Sequence, residues 1–302
     1  MHPALIKLEN SFKPSILTKL GDPLLDEYQI ELWIKRDDLL HPIISGNKWR
    51  KLKYSLDHAL SLGSDTLISM GGTYSNHLHA LAYAGKILGL KTKAFIRGEQ
   101  PTTLTSTLID IQNWGMELSF VSRSDYKLLR QYKNCHDLPA LKRSQYWVPE
   151  GGAQILALKG VAELVNEIDI TYNILCVPCG TGATLAGIIN AAPEKASIWG
   201  FAALKNAAFL ESDVASLLPK ISSDNWKVNL DYHFGGFAKK STELLDFIKN
   251  FEDKTGIPLE SVYTGKMLFG IYDLITKHTF KPRQRIIAIH TGGLQGKRGF
   301  TK

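Results

Sequence analysis

Lys48 is the residue whose neighbours point most directly to covalent chemistry. It follows Ser45, Gly46 and Asn47, three turn formers, and precedes Trp49, Leu52, Leu56 and Ala59, apolar residues at helical spacing. The spacing predicts a helix whose first turn carries Lys48 at the end of a tight loop. A protonated amine is disfavoured there by the positive end of the helix dipole, and Arg50 and Lys51 add like charge. Both effects favour the neutral, nucleophilic amine that a Schiff-base lysine requires. The run K-W-R-K-L-K also reads as a solvated basic helix start, and taken alone that is the favoured reading.

Gly180, Thr181, Gly182, Ala183 and Thr184 join an apolar run to a helical pattern. Backbone N–H groups in such a loop, with the helix dipole behind them, can cradle a phosphate monoester. No Gly-Lys-Ser/Thr follows, so this is not a Walker loop, and Leu185 stands where a dinucleotide fingerprint needs its third glycine. A plain strand-to-helix turn is the alternative. Ser75, Asn76 and His77 open a helix after Gly71 and Gly72. Ser75 or Asn76 reads first as an N-cap, and second as part of a carboxylate site at the helix N-terminus. A serine hydrolase would need the absent G-x-S-x-G elbow. Cys176 and Cys179 form C-V-P-C, which resembles a redox pair, but two reduced, buried thiols are the favoured reading. No second ligand pair suggests zinc, so no metal is expected. Tyr263 precedes a helix in V-Y-T-G-K and Thr291 follows a strand in H-T-G-G; each either faces a ligand or serves only packing and capping.

The elements that must position these residues alternate. Apolar runs at 28–35, 66–70, 93–97, 117–122, 146–148, 173–177, 197–203 and 285–289 read as strands. Helical patterns fall at 76–88, 102–114, 126–133, 153–167, from 185, 244–255 and 267–277. The rhythm predicts an α/β fold with mainly parallel sheets and crossover helices. Ligands in such sheets bind beyond the carboxyl ends of strands, which puts 71–77, 179–184 and 290–293 among the candidate sites.

The chain has 302 residues, 44% hydrophobic and 22% charged, the balance of a globular protein large enough for two lobes. No apolar run approaches a membrane span, and no apolar signal core precedes the first charges, so a cytoplasmic protein is expected. Three cysteines do not make a disulfide framework. The net charge of +7 suits anionic ligands; the basic clusters at 48–53, 281–285 and 297–298 are short and lack nucleic-acid motifs.

The segments K-R-D-D-L, S-G-N-K-W-R-K-L, G-G-T-Y-S-N-H, P-E-G-G, C-G-T-G-A-T-L-A-G, V-Y-T-G-K and H-T-G-G-L together resemble the tryptophan-synthase-β-like, fold type II, pyridoxal-phosphate enzymes. Within them they resemble the branch of 1-aminocyclopropane-1-carboxylate deaminase and D-cysteine desulfhydrase. The resemblance implies two lobes, residues 1–51 with 150–302 for the cofactor and 52–149 as a smaller domain, the active site between them, and a homodimer. It implies pyridoxal 5'-phosphate held by Lys48, with Lys51 and the loop Gly180, Thr181, Gly182, Ala183 and Thr184 on the phosphate. Asn76 would bond the 3-oxygen and Thr291 would lie near the ring nitrogen. Ser75, Asn76, His77 and Thr264 would meet a small amino-acid substrate, and Lys48, Ser75 and Tyr263 would serve catalysis. Thr264 and Thr291 side with desulfhydrases, which tend to Y-S/T-G-K and H-T-G-G, over deaminases with Y-E-G-K and H-L-G-G. The expected reaction is therefore elimination from D-cysteine to pyruvate, ammonia and sulfide, with cyclopropane deamination as the alternative. A non-catalytic or redox-responsive protein that binds the cofactor is the alternative of another class. The chain departs from the pattern at Phe237, where the family has tyrosine, and at His79, where it has arginine.

Overall fold

The computed structural model describes residues 1–218 and 224–299. Its strands are β1 (Leu17–Lys19), β2 (Glu31–Lys35), β3 (Thr66–Gly71), β4 (Lys91–Arg97), β5 (Met116–Val121), β6 (Gln145–Trp147), β7 (Ile174–Cys179), β8 (Ser197–Ala202), β9 (Trp226–Asn229) and β10 (Arg285–Ile289). Its helices are α1 (Pro3–Glu9), α2 (Pro23–Glu27), α3 (Asn47–Ser61), α4 (Asn76–Leu88), α5 (Ser106–Asn113), α6 (Arg123–Leu129), α7 (Ile155–Asn166), α8 (Ala183–Ala191), α9 (Phe209–Leu217), α10 (Thr242–Thr255) and α11 (Thr264–Thr276). The chain divides into two compact units, one of Met1–Lys13, Leu40–Gly160 and the described end from Gln295, the other of Pro14–Leu39 and Val161–Leu294. The resemblance places residues 1–51 with 150–302 in a large cofactor-binding domain and 52–149 in a small one.

The first unit is built on a four-stranded sheet in the order β5-β4-β3-β6, parallel throughout. Every residue of β3 is buried, as expected of a central parallel strand covered on both faces. Trp49, Leu52, Leu56 and Ala59 of α3 are all buried, in one core cluster with Leu78 and Leu81 of α4 and Leu108 and Ile111 of α5. The second unit carries a six-stranded sheet, β1-β2-β10-β7-β8-β9, in which only β1 is antiparallel. Leu244 and Ile248 of α10 and Met267, Leu268 and Ile271 of α11 pack there with Ile34, Cys176, Phe201 and Ile286. Both units thus have the expected α/β layering.

Several boundaries differ from the sequence reading; α6, expected over 126–133, spans Arg123–Leu129 because Ser122 caps it. α5 starts at Ser106 rather than 102, because Thr105 caps it with its hydroxyl 3.2 Å from the Leu108 N–H. β7 runs through Pro178 to Cys179. Beyond Cys176 it pairs with β8 alone, so the missing proline donor costs no bond to β10. α11 begins at Thr264, not 267, for a reason that lies in Glu260 and is given below. The short strands β1 and β9, and helices α1, α2 and α9, carry too few periodic residues to be read locally.

Candidate active site

In the first unit, two helix N-termini carry the expected residues. α3 begins after Gly46, whose φ of 61° makes the sharp turn and whose lack of a side chain leaves that end without a side-chain cap. Lys48 is half-buried and donates to Asn47 Oδ1 at 2.5 Å. Arg50, Lys51 and Lys53 are 3, 4 and 6% exposed, so the basic run is not a solvated helix face. Lys53 pairs with Glu9 at 2.5 Å.

α4 begins at Asn76, and Ser75 caps it, its Oγ accepting from the Leu78 N–H at 3.2 Å. His77 turns inward. Its Nε2 lies 2.9 Å from Ser69 Oγ, and that hydroxyl gives its own proton to the Val148 carbonyl at 2.7 Å. The imidazole therefore donates from Nε2, leaving Nδ1 a buried acceptor with no hydrogen-bond partner among the described residues. Burial holds the ring well below the ordinary histidine pKa, and the charges of Lys51 and Lys48 push the same way. His77, expected among the substrate contacts, is thus a neutral residue inside the unit. His79 sits 3.1 Å from Asp110 Oδ2, and Arg298 reaches the same oxygen at 2.5 Å. The chain's end supplies an arginine to this surface, and Gln295 one turn before it bonds the side chain of Asn76.

In the second unit, β7 hands over to α8 through the Gly180 loop. Gly182 closes it with φ of 74°, no side chain caps the helix, and its first turn holds no acid. A Cβ on Gly180 would stand 3.2 Å from the Tyr263 hydroxyl, so the phenol lies directly over the loop backbone. Thr184 is buried in the first turn of α8. An uncapped helix N-terminus, free of carboxylate and bared by glycine, fits the phosphate of the expected cofactor.

Glu260 organises the neighbouring helix start. Its carboxylate accepts from the N–H groups of Val262 at 2.7 Å, Tyr263 at 2.9 Å and Thr264 at 2.6 Å, and from the Thr264 hydroxyl at 3.0 Å. An acid at the positive end of a helix stabilises it, which is why α11 starts at Thr264. Thr264 is fully buried and its hydroxyl is committed to Glu260, so the structure does not offer it to a substrate. Tyr263 meets the edge of Phe237, ring centres 6.0 Å apart. Lys266 donates to the carbonyls of His233 at 2.9 Å and Gly236 at 2.8 Å, bracing the loop that presents Phe237. Burial brings its amine down to about 8, with Glu260 opposing. Thr291 is buried just after β10, beside His290, which donates from Nε2 to the Pro258 carbonyl at 2.7 Å.

Cys176 and Cys179 are free, buried thiols three residues apart on β7, hence on opposite faces of the strand. Burial pushes the Cys176 thiol up, away from reactivity. A cleft of about 700 Å³ opens among Glu31, Asn173, Lys195, Arg283 and Arg285, at the amino ends of β2, β7 and β10 and so across the sheet from the Gly180 loop. Among the described residues no three His, Cys, Asp or Glu side chains could hold a metal, and no helix is long and apolar enough to cross a membrane. Sequence reasoning missed Glu260, Lys266, Gln295 and Arg298. Glu260 stands four residues before Thr264, a spacing that is informative only once a helix start is placed at 264. Gln295 and Arg298 carry no local signal.

The pyridoxal-phosphate dependent enzyme family matches residues 17–292. A Pyrococcus horikoshii protein, provisionally named a 1-aminocyclopropane-1-carboxylate deaminase, is 31% identical over 98% of this chain and 96% of its own. The mitochondrial bifunctional D-cysteine desulfhydrase/1-aminocyclopropane-1-carboxylate deaminase of Arabidopsis thaliana is 30% identical over 88% of this chain and 73% of its own. The crystal structure of a homologue of 1-aminocyclopropane-1-carboxylate deaminase superposes with a TM-score of 0.81 at 28% identity, covering 98% of this chain and 97% of that one.

Proposed function

We propose, on the premise that this chain belongs to the pyridoxal-phosphate-dependent enzymes and within them to the 1-aminocyclopropane-1-carboxylate deaminase/D-cysteine desulfhydrase branch, that it opens and deaminates 1-aminocyclopropane-1-carboxylate. The chain is a lyase or deaminase of a small amino acid with pyridoxal 5'-phosphate as cofactor. The names of its relatives favour the cyclopropane substrate over D-cysteine as the first candidate. The observation that carries the preference is the commitment of the Thr264 hydroxyl to Glu260. With that hydroxyl unavailable, Thr291 is the one of the two threonines that still favours D-cysteine, and desulfhydration is the second reading.

In this reading Lys48 holds the cofactor through its amine and moves protons at the substrate carbons. Lys51 and the N–H groups of the 180–184 loop hold the phosphate, and Thr184 adds its hydroxyl. Asn76 donates to the 3-oxygen. Ser75, already at the start of α4, orients the substrate carboxylate with the helix N–H groups behind it. Tyr263 flanks the reacting side chain, and Phe237 limits how far its ring can swing. Thr291 places a neutral hydroxyl near the ring nitrogen, so no carboxylate enforces protonation there. When bound, the cofactor supplies the electron sink for the bond broken at the substrate. One water is taken up in either reaction, which gives 2-oxobutanoate and ammonia from the cyclopropane, or pyruvate, ammonia and sulfide from D-cysteine. The homodimer that the resemblance implies and the cytoplasmic setting expected from the sequence belong to the same proposal.

Borohydride treatment of the yellow protein should bleach its visible band and add mass at Lys48, and Lys48→Ala should lose both with turnover. Mass added at another lysine would move the role. With purified holoenzyme, 2-oxobutanoate from the cyclopropane should exceed pyruvate from D-cysteine, and the reverse order would restore desulfhydration as the main activity.

A further inference from the structure

We infer that Gln295, near the chain's end, is a positioning residue that fixes which end of the Asn76 side chain is presented to the cofactor. The inference rests on the proposal above that Asn76 meets the cofactor 3-oxygen. The two ends of an asparagine amide differ: Oδ1 only accepts and Nδ2 only donates, and the partners decide which way it points. Gln295 has the same ambiguity, but its partners remove it. Gln295 Oε1 lies 2.9 Å from the Thr107 hydroxyl, which donates to it, and 3.3 Å from Arg298 Nη2. A guanidinium has no acceptor, so the end of Gln295 facing Arg298 must be the oxygen. Arg298 is itself held by the Asp110 carboxylate at 2.5 Å. The opposite end of Gln295 is then Nε2, and it donates to Asn76 Oδ1.

The consequence for Asn76 follows from valence. Its oxygen is turned to Gln295, so its Nδ2 is the end left to donate elsewhere. The 3-oxygen of pyridoxal phosphate is an acceptor, and a donor is what it needs. Thr107 is 1% exposed, so the frame that sets this direction is anchored in the core of the first unit rather than on a loose tail. Asp110, Arg298, Thr107 and Gln295 together act as a chain of fixed polarity ending on Asn76.

Gln295→Glu tests this, because a carboxylate only accepts and so reverses the demand on Asn76. Its amide must turn Nδ2 toward residue 295 and present Oδ1 to the cofactor oxygen. The expected result is a shifted visible maximum of the bound cofactor and a dissociation constant for pyridoxal phosphate raised about tenfold, with the melting temperature of the cofactor-free protein within a degree or so of the parent. Gln295→Ala, which imposes no reversed polarity, should move both readouts less. Asn76→Ala should move both, and adding Gln295→Glu to it should change nothing more. If Gln295→Glu leaves the visible maximum and the dissociation constant untouched while Asn76→Ala moves them, the positioning role is wrong and the assignment of Asn76 stands. If Asn76→Ala moves neither, the assignment of Asn76 fails, and this inference fails with it.

Discussion

Glu260 illustrates how one buried side chain can reverse the meaning of a motif residue. It is 3% exposed, it holds the first N–H groups of α11, and it takes the hydroxyl of Thr264. Thr264→Glu, the change that would restore the Y-E-G-K pattern of the deaminases, would place a second carboxylate against the first, and the nearby Lys266 already donates to the carbonyls of His233 and Gly236, leaving the second charge uncompensated. An uncompensated buried charge costs roughly 3–5 kcal/mol. Urea denaturation of Thr264→Glu should show a loss of that order, whereas Thr264→Ser, which keeps the hydroxyl, should lose far less. An unchanged midpoint for Thr264→Glu would mean that the site can open to water. Ser69 sets the direction of the His77 ring by the same kind of commitment, so Nδ1 is the only ring nitrogen left to meet another group.

At the level of elements, close approaches fix what each helix can carry. A Cβ on Gly160 in α7 would lie 1.9 Å from the Arg50 carbonyl oxygen in α3. Backbone cannot yield that distance without moving the helix that bears Lys48. Gly160→Ala should therefore destabilise by about 1–3 kcal/mol or more, and it should also weaken cofactor retention, since α3 shifts with it. Equilibrium unfolding paired with fluorescence titration of pyridoxal phosphate checks both. Strand geometry makes a different prediction for the thiols. Cys176 and Cys179 point to opposite faces of β7 and are buried, while Cys135 is half-buried. A thiol reagent should label Cys135 in the native protein and the other two only on unfolding, and oxidant should form no bridge between Cys176 and Cys179. Rapid native labelling of all three would contradict the buried arrangement.

For the whole molecule, acid removes stability that two histidines and a carboxylate support at neutral pH. Burial keeps His77 and His79 below the ordinary histidine value, the former helped by Lys51 and Lys48, the latter opposed by Asp110. In the unfolded chain both titrate near 6.5, so below that pH the unfolded state binds more protons than the folded one. Stability should therefore be full above about pH 6.5 and fall as pH drops through the lowered folded values, by at most about 1.4 kcal/mol per pH unit for each ring. Asp110 adds a loss at lower pH. Burial raises its pKa, but Arg298 and His79 outweigh burial and hold the carboxyl below its usual range, so its contribution disappears as pH falls through that lowered value. Denaturation curves between pH 8 and pH 5 should show this decline, and His79→Gln should flatten part of it. A midpoint independent of pH over that interval would rule out two neutral, buried histidines.

What the sequence by itself determined is a lysine in the first turn of α3, a polar start to α4 and a glycine loop before α8; the class of cofactor came from the family resemblance of those segments. These were legible because turn formers, caps and apolar periodicity act between residues a few positions apart, and the backbone obeys them locally. The α/β alternation was legible for the same reason, except where β1 and β9 are so short that only their sheet neighbours define them. Tertiary structure alone decided what each candidate side chain is free to do. It buried Lys51 and Arg50 in a run that reads as surface, and it gave the Thr264 hydroxyl to Glu260. It also brought Gln295 to Asn76 across 219 positions and Arg298 to Asp110 across 188. Desolvation and hydrogen-bond polarity depend on which groups meet after folding, and a linear spacing carries no record of such meetings.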